Sequence, residues 1–428
     1  MLLASQTMGL LAGAAAVLGS FYCLAESFTV RRLMRLKKVR TAVLVATGSR
    51  TKLLTLPVHR CANDNGPAVT IFKPLYNAPL SLRADLETLF SQDYGGPIQV
   101  IFGLHRESDP AKAIVDQLKE ERPHADITIV VSPRAHGANA KITNLLNMYP
   151  HARYPIFVIC DGDTAVPPGW LSTLIRTLEA PGIGLVSCLY RGVPERPLFW
   201  PIMSAMGMSY SFLPNVVLAA AAGLEMPCLG ATMAIRQSTL AAVGGFRRFA
   251  DTLADDYDLG RAVRAKGLWV ALSTSIVRHN AGENSAIKFF NHELRSARTI
   301  RMINPIGYAL SAITHNVGLA SLSVLAGPTK LGLAVLGFAV ASRMALQLIV
   351  DNSFACWSGP ILLLPLRDLL SGMVFVLSFL SRKVRWGERV FDASGPRRSP
   401  QFESAGTAAS PPSLEFAVPL STGSAPNP

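Results

Sequence analysis

A chain of 428 residues that is 50% hydrophobic and only 16% charged is too apolar to be disordered and long enough for two or three domains. Its mean hydropathy of +0.30 points to a membrane. The formal charge of +13 would suit a nucleic-acid partner, but Lys and Arg gather beside hydrophobic runs and no basic face is interleaved with aromatics, so nucleic acid is not expected as a partner.

Residues 1–25 carry no charged side chain and are long enough to cross a bilayer, and Arg31, Arg32, Arg35, Lys37, Lys38 and Arg40 follow at once. A cleaved signal peptide carries its positive charges ahead of the apolar stretch. The order here therefore predicts an uncleaved anchor over residues 1–26 with the N-terminus outside, the alternative being removal near residues 14–16. A basic juxtamembrane linker is expected over 27–67.

From residue 68 the hydrophobic period alternates between strand-like and helix-like. Strands are expected over 69–72, 98–104, 127–131 and 154–160. Helices are expected over 80–90, with Leu82, Leu86, Leu89 and Phe90 on one face, and over 110–121, 142–148 and 170–178. Such alternation predicts an α/β unit over 68–284 with a mostly parallel sheet covered on both faces, and ligands bind such sheets beyond the carboxyl ends of the strands.

Chemistry-bearing residues fall just there. Asp161-Gly162-Asp163 follows an apolar strand, and two carboxylates around a tight turn suit a hard divalent cation shared with a nucleotide diphosphate. A solvated turn is the bland alternative. Asp109 either caps the helix after Pro110 or reaches a nucleobase. Lys73 ends the first strand, and Lys141 opens a helix after Gly137-Ala138-Asn139-Ala140, where the helix dipole opposes a cation unless an anion is held nearby. Asp255 and Asp256 precede a helix expected over 259–266. They are either ordinary dipole partners or a base whose pKa is raised by its neighbour.

The uncharged stretch 198–224 predicts a pair of membrane-apposed helices broken at Pro214. Over 285–305 an amphipathic interface helix places Lys288, His292 and Arg295 on one face, with Arg298 and Arg301 trailing. His292 and Arg295 are candidates to reach a diphosphate. Apolar stretches at 306–326, 331–350 and 360–380 form a C-terminal transmembrane region over 306–381. If all three crossed, Arg382, Lys383, Arg385 and Arg389 would lie on the wrong side, so one is expected to be re-entrant or interfacial. Arg367 and Asp368 are expected as a structural pair at membrane depth. A basic segment and tail occupy 382–428, and from 393 onward too few large apolar residues remain to order the chain. Cys23, Cys61, Cys160, Cys188, Cys228 and Cys356 show no C-x-x-C pair, which predicts neither a zinc site nor disulfides and suits a reducing compartment.

Several segments in order carry a resemblance: Lys73-Pro74-Leu75, Ser108-Asp109-Pro110, Gly137-x-Asn139-x-Lys141, Cys160-Asp161, Gly230-Ala231-Thr232-Met233, Asp255-Asp256-Tyr257 and Ser273-Thr274. Together they resemble an inverting family 2-type glycosyltransferase of the GT-A (Rossmann-like) fold, and more closely its ceramide glucosyltransferase-like branch, family 21. The run from His292 to Arg301 further resembles the hopanoid biosynthesis-associated members of that branch, which add N-acetylglucosamine to bacteriohopanetetrol. The resemblance implies a UDP-sugar donor, a lipid hydroxyl as acceptor and Mg²⁺ or Mn²⁺ as cation. It implies that Asp109 reads the uracil, that Asp161 and Asp163 hold the UDP and metal, and that Asp256 is the base, with Asp255 the substitute. It also implies a multi-pass protein of the bacterial inner membrane with a cytoplasmic catalytic domain. The branch's Q/R-x-x-R-W signature appears here with Ser296 in place of Trp. Ceramide or diacylglycerol with UDP-glucose or a UDP-uronate is the rival substrate pair, and a silent membrane scaffold is the rival of another class.

Overall fold

The computed structural model describes residues 2–39, 41–47, 50–56, 66–223, 228–327, 329–381, 383–386 and 389–392. The expected tail from 393 lies outside these residues, as do Arg382, Cys61 and residues 57–65 of the expected linker. In chain order the strands of the main sheet are β1 (Thr41–Thr47), β2 (Arg50–Leu56), β3 (Val69–Pro74), β4 (Ile98–Leu104), β5 (Asp126–Val131), β6 (Ile156–Cys160), β7 (Thr164–Ala165), β8 (Ile183–Pro194), β9 (Thr232–Arg236) and β10 (Trp269–Ala281). They are ordered β2-β1-β10-β8-β9-β6-β3-β4-β5, with β7 also pairing β10. The helices are α1 (Leu2–Val39), α2 (Leu82–Glu87), α3 (Ala111–Glu121), α4 (Ala140–Met148), α5 (Trp170–Glu179), α6 (Phe199–Gly207), α7 (Leu213–Ala221), α8 (Gln237–Ala242), α9 (Asp255–Ala265), α10 (Ala286–Ile303), α11 (Pro305–Leu310), α12 (Asn316–Ala326), α13 (Lys330–Phe354) and α14 (Leu364–Phe379).

Strands that read as unbroken apolar runs do so because both sheet faces are covered. Val69 and Ile71 of β3 face a cluster built with Leu82, Leu86, Val115, Leu118, Trp170 and Leu174 of α2, α3 and α5. Phe72, next to Ile71 in sequence, faces the opposite cluster with Ile142, Leu145, Leu259 and Val263 of α4 and α9. Each such fully buried side chain contributes about 1.5–3 kcal/mol.

The sheet is mixed rather than mostly parallel. β3 runs parallel to β4 and β6, β4 to β5, and β8 to β10. β9 lies antiparallel between β6 and β8, because the excursion through α6 and α7 returns the chain at the end of the sheet where β8 stopped. Residues 27–67 are not simply a linker. α1 runs on to Val39, and β1 and β2 form an antiparallel hairpin whose inner strand pairs β10. Two apolar runs flanking Gly48-Ser49 are the hairpin signal in the sequence.

Among the described residues four helices are long and apolar enough to cross a bilayer: Ser5–Arg35, Phe199–Ala221, Lys330–Phe354 and Ile361–Phe379. A bent pair, Pro305–Thr314 with Asn316–Ala326, makes a fifth candidate kinked by 63°. That kink falls in the first of the three C-terminal stretches. Phe199–Ala221 has 67% of its apolar window buried inside the protein against 28–33% for the other three, so it lies largely against protein. It is not broken at Pro214. A π-helical segment, Met208–Phe212, carries the helix into α7, and the Tyr210 carbonyl, one turn before the proline, accepts from Arg343 Nη1 at 2.9 Å.

α1 packs on α12 through glycine. A Cβ on Gly19 would stand 2.0 Å from the Ile313 carbonyl, so only glycine permits this approach. Arg367 and Asp368, expected to pair with each other, take separate partners. Arg367 meets Glu293 of α10 at 2.9 Å, and Asp368 receives two bonds from Arg343 of α13 at 2.7 and 2.8 Å. Consecutive residues on a helix point about 100° apart, which prevents their facing one another. Cys23, Cys160, Cys188, Cys228 and Cys356 are buried and unbridged.

Candidate active site

β6 ends in Asp161-Gly162-Asp163, closed as a turn by the Thr164 N–H donating to the Asp161 carbonyl at 3.1 Å. The Asp161 N–H donates to Ala231 beside β9 at 3.0 Å, so the turn is fastened to the sheet. Lys73 fastens it from beneath. Its ammonium donates to the Asp161 carbonyl at 2.5 Å and the Thr164 carbonyl at 2.7 Å, and the whole side chain is buried.

A second loop closes over the first. A Cβ on Gly137 would lie 2.4 Å from the Ala250 carbonyl. That closeness lets Asn139 N–H donate to Ala250 at 2.7 Å and Ala138 N–H donate to the Asp251 carboxylate at 2.8 Å. The Asn139 side chain caps α4 by accepting from Ile142 N–H at 3.0 Å, while its amide donates to the Asp255 carboxylate at 3.0 Å. The capped helix delivers Lys141, whose ammonium lies 2.5 Å from Asp161 and donates to the Gly230 carbonyl at 3.1 Å.

Three acids therefore surround one lysine. Burial alone would lower the Lys141 pKa, but Asp161 first, then Asp255 and Asp256, outweigh it and hold the ammonium protonated. Burial raises Asp161 above the usual carboxylate range, opposed by Lys141. Asp256 is pushed up to about 7, mainly by burial and then by the Asp255 carboxylate. Its Oδ1 accepts from the Tyr257 N–H at 2.8 Å, and its Oδ2 lies against Gly230, where a Cβ would come within 2.9 Å.

A buried sheet that offers paired acids at a strand end, a fixed lysine and a carboxyl of raised pKa is the frame of a group-transfer site. The profile of glycosyl transferase family 21 matches residues 32–397. The chain belongs to glycosyl transferase family 21. As a member of that family it is a glycosyltransferase.

This glycosyltransferase is 24% identical over 225 residues to ceramide glucosyltransferase 1 of Caenorhabditis elegans, a match covering 53% of this chain and 48% of the relative, about half its length. It is 22% identical over 351 residues to ceramide glucosyltransferase 3 of the same organism, covering 78% of this chain and 74% of the relative. Among solved structures, the mannosyltransferase PcManGT from Pyrobaculum calidifontis in complex with GDP-Man and Mn²⁺ aligns with a TM-score of 0.47 and 18% identity, over 86% of this chain and 98% of that one.

The glycosyltransferase brings together Lys141, Asp161, Asp163, Asp255 and Asp256, but not every expected ligand-binding residue reaches open space. Lys73 does not: it is spent on backbone carbonyls under the acidic turn, which need a donor once β6 ends. Asp109 caps α3 by accepting from Ala111 N–H at 2.9 Å and also accepts from Asn77 N–H at 3.1 Å, which fastens the loop after β3. α9 begins at Asp255 rather than Leu259, so both acids stand in its first turn, where the dipole favours them. His292 is engaged by Glu283 at 2.5 Å. Arg295 lies in the field of Glu283 and Asp163, and burial lowers its pKa. Ser296 is exposed, so the packing of α10 does not call on that position.

His279, Tyr190 and Glu283 escape a reading by sequence. His279 Nδ1 stands 3.4 Å from Asp163, and its ring lies 5.4 Å from that of Tyr190. Only the β7–β10 pairing, which sets His279 opposite Thr164, puts it there.

Among the described residues no three His, Cys, Asp or Glu side chains converge as a closed metal centre. The donors at the turn fit a hard divalent cation of the kind that takes one or two carboxylates and completes its shell with phosphate oxygens. Asp163, 46% exposed, is the more open of the two, since Asp161 already faces Lys141.

Proposed function

We propose that this glycosyltransferase moves a sugar from a UDP-sugar to a lipid hydroxyl with inversion at the anomeric carbon. The observation that carries the reading is the convergence of Asp161, Asp255 and Asp256 on Lys141 at the ends of buried strands.

In this reading Asp163 and Asp161 hold Mg²⁺ or Mn²⁺ against the donor diphosphate. Such a cation, when bound there, would supply positive charge against the leaving diphosphate. Asp256 accepts the proton of the acceptor hydroxyl as its oxygen bonds to the anomeric carbon and the bond to UDP breaks. Asp255 stays on Asn139 and orients α9 rather than acting as the base. Lys141 and Arg295 supply fixed positive charge near the departing diphosphate. Asp109, in the loop after β4, is in this reading the residue that meets the base of the nucleotide, although its carboxylate also accepts from Asn77 and Ala111 N–H. Apolar helices on the same chain bring lipid and nucleotide sugar together, turning a two-phase encounter into a local one. With Arg31, Arg32 and Arg35 following the first span, the sheet unit faces the cytoplasm.

Two acceptors are argued from different observations. The run from His292 to Arg301 supports N-acetylglucosamine transfer to bacteriohopanetetrol in a bacterial inner membrane. The names of the curated relatives support glucose transfer to ceramide. Purified full-length protein is offered UDP-N-acetylglucosamine, UDP-glucose and UDP-glucuronate against a hopanoid polyol and a ceramide, with and without EDTA. Glycolipid should form with one pairing and vanish with EDTA or with Asp161→Asn. EDTA-insensitive transfer at full rate would remove the cation from the mechanism.

A further inference from the structure

Arg191 of β8 and Arg278 of β10 are direct neighbours in the parallel ladder. Like charges set opposite each other on a sheet are destabilising, and although Arg278 is exposed and Arg191 half-buried, a bound anion would relieve the repulsion that water only screens. Among the described residues no carboxylate comes within ion-pair distance of either guanidinium. The acids whose fields reach them are engaged elsewhere: Asp85, near Arg278, accepts from Asn280, and Asp351, near Arg191, accepts from Tyr210 at 2.8 Å.

Both arginines line an open pocket of about 630 Å³, whose other walls include Ile276, Pro167, Phe354, Ala355 and Glu87, the last with its carboxylate held by Arg83 at 2.9 Å. Such a volume is ample for a small ligand. Side chains alternate along a strand, so Arg191 and Arg278 project from the sheet face opposite to Tyr190 and His279, which stand near the catalytic acids. The pocket is therefore separate from the transfer site.

Its position speaks for the occupant. Phe354 is the last residue of α13, a helix long and apolar enough to span the bilayer. Trp357, three residues on, is 58% exposed, as expected of an aromatic anchor at the membrane interface. Ala355 sits between them with φ of 46°, in the left-handed region that non-glycine residues seldom adopt. An unfavourable backbone and an unfavourable charge pair meet in one pocket at the lipid boundary, and such costs persist where a ligand or function depends on them.

We propose that this pocket binds the phosphate of an anionic phospholipid headgroup, with Arg191 and Arg278 on the phosphate and Ile276, Pro167 and Phe354 against the glycerol and upper acyl carbons. Arginine's planar fork matches phosphate oxygens, and basic pockets beside membrane helices recognise lipid headgroups in this way.

The test uses the full chain in detergent, titrated with dioctanoyl phosphatidylglycerol, dioctanoyl phosphatidylcholine or inorganic phosphate, with bound ligand counted by native mass spectrometry. Phosphatidylglycerol should bind at least about tenfold more tightly than phosphatidylcholine. The R191Q/R278Q double variant should lose that preference, while R247Q, an exposed arginine elsewhere, should keep it. In lipid-free protein R278Q should unfold at the same or a higher temperature, because it relieves repulsion. Equal binding of phosphatidylglycerol by wild type and double variant would overturn the proposal. So would displacement of the lipid by an equal concentration of inorganic phosphate, or a lower unfolding temperature for lipid-free R278Q.

Discussion

Asp255 and Asp256 are adjacent in the chain, yet their carboxylates meet different surroundings. Asp255 is tied to Asn139, whereas Asp256 lies against Gly230 with a pKa pushed up to about 7 by burial and its neighbour. Asp256→Asn should lower kcat by about 10²–10⁴-fold, the range for loss of a general base, with donor KM little changed. Asp255→Asn should cost less in kcat and show a lower unfolding temperature. A base with a raised pKa must be deprotonated to act, so kcat should climb with pH along an acid limb near about 7. A bound cation adds positive charge and moves that limb downward, never upward. Lys73 makes the converse prediction. With its ammonium on two carbonyls, Lys73→Met should cost about 3 kcal/mol of stability, seen as a lower unfolding temperature. Activity should then fall only in step with the folded fraction.

At the scale of elements, the chemistry depends on two loops held together and on α10 held beside them. The Gly137–Lys141 loop and the start of α9 are joined by four hydrogen bonds through Ala138 and Asn139, to Ala250, Asp251, Thr252 and Asp255. α10 is oriented by Glu283, whose bond to His292 outweighs the cost of burial and lowers the Glu283 pKa to about 2. An acid with a depressed pKa stabilises the fold above its ordinary value of 4.5 and loses that contribution as pH falls toward 2. Glu283→Gln should loosen His292 and Arg295. The expected result in steady-state kinetics is a donor KM raised by about tenfold, or about 1.4 kcal/mol, with a smaller change in kcat.

Across the whole molecule, membrane helices and sheet share one core. Cys23 and Val30 of α1, Leu346 of α13 and Leu364 of α14 pack with Leu189 of β8, Leu272 of β10 and Phe289 of α10. Two ion pairs cross the same region, Arg367–Glu293 and Arg343–Asp368, and both partners of the second are almost fully buried. Removing one partner of a buried pair strands the other. Asp368→Asn should cost about 3–5 kcal/mol, whereas the double change R343M/D368L should recover much of that loss. Thermal unfolding in detergent separates the two. The mixed sheet also follows from this shared core, because α6 and α7 fold back along it and return the chain antiparallel as β9.

Elements whose cause is local were readable in the chain itself. Strands β3 to β6, the helices between them, the apolar spans and the acids after β6 all announce themselves through period, turn residues and charge within a dozen positions, whereas β8, β9 and β10 do not. The likeness to family 21 was readable for the same reason, since its motifs are short and ordered. Partners distant in sequence were not. The burial of Lys73 under the turn, the different surroundings of Asp255 and Asp256, the separate partners of Arg367 and Asp368, and the arrival of His279 beside Asp163 each depend on segments brought together by sheet order and helix packing. A side chain's chemistry is written in its identity; what it touches is set by the register of strands and the approach of helices, which exist only once the chain has folded.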